Sequence, residues 1–138
     1  MISFNYENDF EIDNEEKLHT WIERVLVSEG FKLGEINYIF CNDDYLHSLN
    51  VEFLDHDTLT DVISFDYTIG KIIQGDIYIS TERVADNAID FKTTLKDELH
   101  RVMVHGVLHY CGYKDKSESE EKDMRNLENH YLELLKDI

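Results

Sequence analysis

An α+β fold is predicted for this chain: a single domain in which a mixed four-stranded sheet is covered by helices. Three observations carry that expectation. Segments with apolar residues at helical spacing intermix along the sequence with short alternating or continuous apolar runs. No proline, repeat or low-complexity linker divides the 138 residues, so 1–138 read as one domain. Apolar residues make up 42% and aromatic residues 12%, enough for a chain of this length to bury its own core.

The elements follow in order. Ile2 to Tyr6 alternates and reads as a strand. Asp13 or Asn14 caps a helix whose buried stripe is Leu18, Trp21, Ile22, Val25 and Leu26, and Gly30 ends it. Ile36 to Phe40 is a second strand; Asn42 or Asp43 then caps a helix through Leu46, Leu49 and Phe53. Asp55 to Thr58 is a polar loop. Asp61–Tyr67 and Ile72–Ile79 form a hairpin turning near Gly70, and the strands around Ile63 and Ile77 are expected at the sheet's centre. Ser80 caps a helix over Thr81–Ile89, Thr93 or Thr94 starts the next, and a last helix runs from about Ser117 to Lys136. Trp21 and its stripe read as core. Cys41 and Cys111 read as reduced thiols rather than a disulfide.

The helix begun at Thr93 or Thr94 contains the chemistry. His105 and His109 are four residues apart, so both imidazoles lie on one face and can reach one metal ion. Gly112 lets the chain reverse three residues later and bring Asp115 back as a third ligand. Three protein ligands leave a position open for water, the arrangement of a catalytic rather than a structural site. Both histidines interrupt apolar residues, Val102 to Val104 and Val107–Leu108, where an unpartnered imidazole would cost roughly 1–3 kcal/mol. A metal supplies the missing partner twice. His19, His47 and His100 lack ligand spacing, and His130 with Glu133 reads as a surface pair.

The run His105-Gly106-Val107-Leu108-His109-Tyr110-Cys111-Gly112-Tyr113 resembles the signature of the YbeY family, His-Gly-x-Leu-His-x-x-Gly-Tyr-Asp-His. Leu49-Asn50, Thr60 to Phe65 and Gly75 to Ser80 resemble further blocks of that family, in its order. The resemblance implies a zincin-like metal site on a central helix and a bacterial metal-dependent endoribonuclease of ribosomal RNA maturation. Two positions depart from the pattern. Asp115 stands in place of the third histidine, with Lys114 in place of the aspartate before it. Leu54 stands where the family usually has an arginine thought to support catalysis. Arg101, one helical turn before His105, is the favoured replacement, with His56 as the other candidate. The bland alternative pairs Arg101 with a carboxylate such as Asp97, at helical spacing.

The expected catalytic residues are therefore Arg101, His105 and His109, and the expected metal ligands His105, His109 and Asp115. One transition-metal ion is implied. Zinc is the default, although iron(II) or nickel(II) suit the same ligands. A peptidase of the His-Glu-x-x-His type is the competing enzyme class, but Gly106 occupies the place of its general base. Glu98, two turns before His105, is the carboxylate that could reach the pocket instead. A ribosome-assembly factor with reduced catalysis is the non-enzyme alternative.

The net charge of −17, from 30 acidic and 13 basic residues, argues against general coating of RNA. It favours docking to a basic protein partner over free RNA, so the ribosomal RNA that the resemblance implies is expected to be presented by the small ribosomal subunit or by a basic ribosomal protein. No segment has the ~20 apolar residues of a membrane span, and no signal peptide is evident, so the expected location is cytoplasmic.

Overall fold

The computed structural model describes residues 1–55 and 60–138. The chain runs β1 (Ile2–Tyr6), α1 (Glu15–Ser28), β2 (Lys32–Cys41), α2 (Asp43–Leu54), β3 (Val62–Asp66), β4 (Ile72–Ser80), α3 (Thr81–Asp90), α4 (Leu95–Tyr110) and α5 (Glu118–Lys136). The four strands form one mixed sheet in the order β1-β2-β4-β3. β1–β2 and β2–β4 are parallel, and only the β3–β4 hairpin is antiparallel. The expected α+β class, sheet type and helical cover are all present.

One expectation about the sheet needs correction. β4 is central, but β3, the strand around Ile63, is an edge strand; β2 takes the other inner position. The composition of the two strands explains this. β2 buries Ile36, Tyr38 and Phe40 on one face and Cys41 on the other, so both its faces are covered. Within β3 only Ile63 is fully buried. β2 also starts earlier than expected, pairing Lys32 and Leu33 with Ile72 and Ile73 before a register irregularity. Gly34 sits in that irregularity, where an added Cβ would lie 2.9 Å from the Ile73 carbonyl oxygen.

The helices start where short polar side chains can accept from their first turns. Asn42 accepts from the Tyr45 N–H, Ser80 from Arg83 and Thr94 from Asp97. Ser117 and Glu120 close a reciprocal capping box at the start of α5. Asn14 does occupy the cap position of α1, but in the left-handed region and without a side-chain cap bond.

One face of the sheet holds the main core. Leu18, Trp21, Ile22, Val25 and Leu26 of α1 meet Met103, Val104, Val107 and Leu108 of α4 there, with Met124 and Tyr131 of α5 closing it over Ile36, Tyr38, Phe40 and Ile77. Buried polar groups inside it are satisfied: Trp21 Nε1 donates to the Tyr131 carbonyl at 2.7 Å, and the Tyr38 hydroxyl donates to the Met103 carbonyl at 2.8 Å. Among the described residues the other face carries a smaller cluster of Cys41, Leu46 and Ile63, with Leu49, Phe65 and Tyr78 packed against it. Both cysteines are free, as expected.

Helix α4 lies close on β4. An added Cβ at Gly106 would come within 2.9 Å of Ile77 Cδ1, so that position faces the sheet. The Tyr110 hydroxyl reaches the carbonyls of Phe65 and Asp76, both at 3.0 Å, and fastens the last turn of α4 to the β3–β4 hairpin. No helix among the described residues is long and apolar enough to cross a membrane.

Candidate metal centre

The site is built on the last two turns of α4. His105 and His109 sit one turn apart with their Nε2 atoms 2.9 Å from one another. Gly112, at φ +102, ends the helix in a conformation that costs glycine little. The chain reverses and carries Asp115 back over the histidines. Its Oδ2 lies 3.3 Å from His105 Nε2 and 3.5 Å from His109 Nε2. The structure thus brings together His105, His109 and Asp115, the three residues expected as ligands, in a group that could hold one ion.

The donor set fits a transition metal. A tetrahedral ion with bonds of about 2.0–2.1 Å sets its ligand atoms roughly 3.3 Å apart, and the three separations fall on either side of that value. Both rings are also held by their other nitrogen. His105 Nδ1 is 2.8 Å from Glu128 Oε2, and His109 Nδ1 is 2.9 Å from the Tyr113 carbonyl oxygen. A carboxylate and a carbonyl can only accept, so each Nδ1 carries the proton and each Nε2 is free to ligate. Tyr113 is anchored in turn, its hydroxyl donating to Glu29 Oε1 at 2.6 Å.

Burial alone would push the His105 pKa down. The hydrogen bond and charge of Glu128, with Asp115 and Asp61 adding to them, outweigh burial and hold it above the ordinary histidine value. Burial pushes Glu128 up, but hydrogen bonds from His105 and Arg101 bring it below the usual glutamate range.

Two adjoining hollows of about 280 and 580 Å³ open beside His105 and share Asp115, Arg125 and Glu128. Asp61, Glu98 and Arg101 line the smaller one. Burial raises the carboxyls of both Asp61 and Glu98, against the opposing pull of His105 on the first and Arg101 on the second. Glu98 therefore does border the pocket, as its spacing suggested.

Arg101 also lines the pocket, and its guanidinium is engaged. Nη1 donates to Glu128 Oε1 at 2.9 Å and Nη2 to Asn129 Oδ1 at 2.8 Å, with Nε 4.0 Å from Glu98. Its carboxylate partners are thus Glu128 and Glu98 rather than Asp97. Arg125, whose side chain is 53% exposed, is the freer cation on the same wall. Leu54 ends α2 and is exposed. His56 lies outside the described residues, as does most of the expected 55–58 loop.

Glu128 is the residue that the sequence reading missed. It interrupts the buried stripe Met124, Tyr131 and Leu135 of α5, so a glutamate at a core position was the available signal.

A family model described as Endoribonuclease YbeY matches residues 2–136. The chain belongs to the YbeY family. Relatives named Endoribonuclease YbeY include those of Flavobacterium johnsoniae, 58% identical over 96% of this chain and 95% of that one, and of Flavobacterium psychrophilum, 60% identical over 97% and 96%. The solution structure of a Thermotoga maritima protein is similar with a TM-score of 0.68. It is 26% identical over 98% of this chain and 89% of that one.

Proposed function

We propose that this chain is a metal-dependent endoribonuclease that cuts single-stranded ribosomal RNA during maturation of the small ribosomal subunit, with residues 1–138 as one catalytic domain. The observation that carries the reading is the convergence of two oriented imidazoles and a carboxylate beside an open cleft, in a chain of the endoribonuclease family from residue 2 to 136. His105, His109 and Asp115 hold the ion, and zinc suits two nitrogens and one oxygen. When bound, such an ion supplies Lewis acidity toward a phosphoryl oxygen and acidifies its water toward pH ~7.

The chain's own residues do the rest. Glu128 and the Tyr113 carbonyl keep both rings in the ligating tautomer. Arg101 and Arg125 put positive charge on the cleft wall, where a scissile phosphate would lie beside His105. Arg101 acts there as a held charge, since two of its nitrogens are committed to Glu128 and Asn129. The peptidase alternative is disfavoured by geometry as well as by composition. Position 106, where that class needs its glutamate, faces Ile77 and not the cleft.

With 30 acidic residues against 13 basic ones, the protein engages its RNA on the small subunit or beside a basic ribosomal protein, in the cytoplasm. The deciding experiment is cleavage of single-stranded RNA by the purified protein, with and without chelator. Cleavage that stops on chelation and returns with zinc supports the reading. Cleavage indifferent to chelator overturns it. Binding to the small subunit without cleavage by the zinc-loaded protein would favour an assembly factor.

A further inference from the structure

We infer that Glu128 is a positioning residue of the metal centre: its carboxylate fixes the tautomer and direction of His105, and Arg101 fixes the carboxylate. The inference rests on the metal reading proposed above and names a residue outside the ligand set.

Three observations carry it. Glu128 is 4% exposed in a helix otherwise thick with solvated acids, and it stands at a position that the stripe of Met124, Tyr131 and Leu135 assigns to the core. A carboxylate kept there must be paired, because an unpaired buried charge costs several kcal/mol. Both its oxygens are used, and for different partners: Oε2 for His105 Nδ1 at 2.8 Å, Oε1 for Arg101 Nη1 at 2.9 Å. A charged acceptor on Nδ1 makes the opposite nitrogen a stronger donor to an ion and removes the ring's freedom to flip.

The pairing also bridges α4 and α5. The capping box at Ser117 and Glu120 sets where α5 begins, and packing of Met124 and Tyr131 sets which face it buries. Glu128 is then delivered opposite His105, where its two contacts hold the carboxylate. Glutamine in its place could still accept from one partner through its carbonyl oxygen, but its amide nitrogen could not accept from the other and it would not carry the charge.

The test compares wild type with Glu128→Gln by competition for zinc against a chromophoric chelator, and by the unfolding midpoint of the metal-free proteins. Zinc affinity should fall 10–100-fold in the variant, beyond any change in metal-free stability. A lower midpoint with unchanged zinc affinity would mean that Glu128 serves packing alone, and would overturn the inference. If Glu128→Gln does not fold, Glu128→Asp keeps the charge while withdrawing it by one methylene, and the same loss of affinity is expected.

A measurement on wild type needs no variant. Nitrogen-15 spectra of the histidine rings should place the His105 proton on Nδ1 in the zinc-loaded protein; a proton on Nε2 would overturn the inference. His105→Ala separates the two failures. If wild type binds zinc no better than His105→Ala, the metal reading fails and takes this inference with it. If wild type binds zinc and Glu128→Gln binds it equally well, only the inference fails.

Discussion

Two histidines five residues apart on α4 are both largely removed from water, yet their surroundings push them in opposite directions. His100 packs edge-on to Trp21, and burial, helped by Lys96 and Lys17, pushes its pKa down to about 4. His105 experiences burial too, but the Glu128 carboxylate outweighs it. One imidazole is kept neutral as a core side chain, while the other is aimed and made basic. The difference lies chiefly in what α1 and α5 present to the helix: an indole in one place, a carboxylate in the other. Burial alone therefore does not identify a functional histidine; the partner on its second nitrogen does.

The largest effect that could break this contrast is loss of the ion. His105→Ala or His109→Ala should reduce bound transition metal from about one per chain to near none, whereas His100→Phe should leave it unchanged. Elemental analysis after purification without chelators reads both results.

The next effect belongs to Arg101. Its removal should lower turnover on RNA by ~10²–10³-fold at saturating zinc, because the proposed transition-state charge is lost while the proposed ligands stay. A wild-type rate in Arg101→Ala would transfer that role to Arg125.

His100 sharpens the comparison through pH. Its folded pKa lies below the unfolded value near 6.5, so its contribution to stability is intact above pH 6.5. It is lost as pH falls from 6.5 toward 4, where only the unfolded chain takes up the proton. The loss is about 1.4 kcal/mol per pH unit and roughly 3 kcal/mol in all. Urea denaturation at pH 7 and pH 5 should show this slope in wild type and a flatter one in His100→Phe. The smallest effect is expected at Lys114. Lys114→Ala should alter neither zinc affinity nor stability by more than ~0.5 kcal/mol, although its neighbour Asp115 is a proposed ligand; zinc titration and urea denaturation of that variant check both.

The sequence made the grouping of His105, His109 and Asp115 legible because they are local. His105, His109, Gly112 and Asp115 fall within eleven residues, and helical geometry alone relates them. The cap at Ser80 was legible for the same reason, and those at Asn42 and Thr94 to within one residue. What could not be read was anything set by packing between elements. The partner of Arg101 came from α5 rather than from its own helix, so local spacing pointed to Asp97. Glu128 was hidden among the glutamates of α5, distinguished only by its place in an apolar stripe. The edge position of β3 depended on which strands β2 and β4 chose as neighbours, and a single buried Ile63 cannot report that.

The Tyr110 hydroxyl bound to two strand carbonyls has a consequence for how the metal arrives. Helix ends ordinarily fray, and a binding site on a last turn would then have to be ordered by its own ligand. Here that turn is fastened to the β3–β4 hairpin by protein contacts alone, and an added Cβ at Gly75 would collide with the same hydroxyl. An ion taken up at the proposed site would enter a turn already held by the hairpin. Little chain entropy is surrendered on binding, and stripping the ion should silence the protein while leaving its circular dichroism spectrum unchanged.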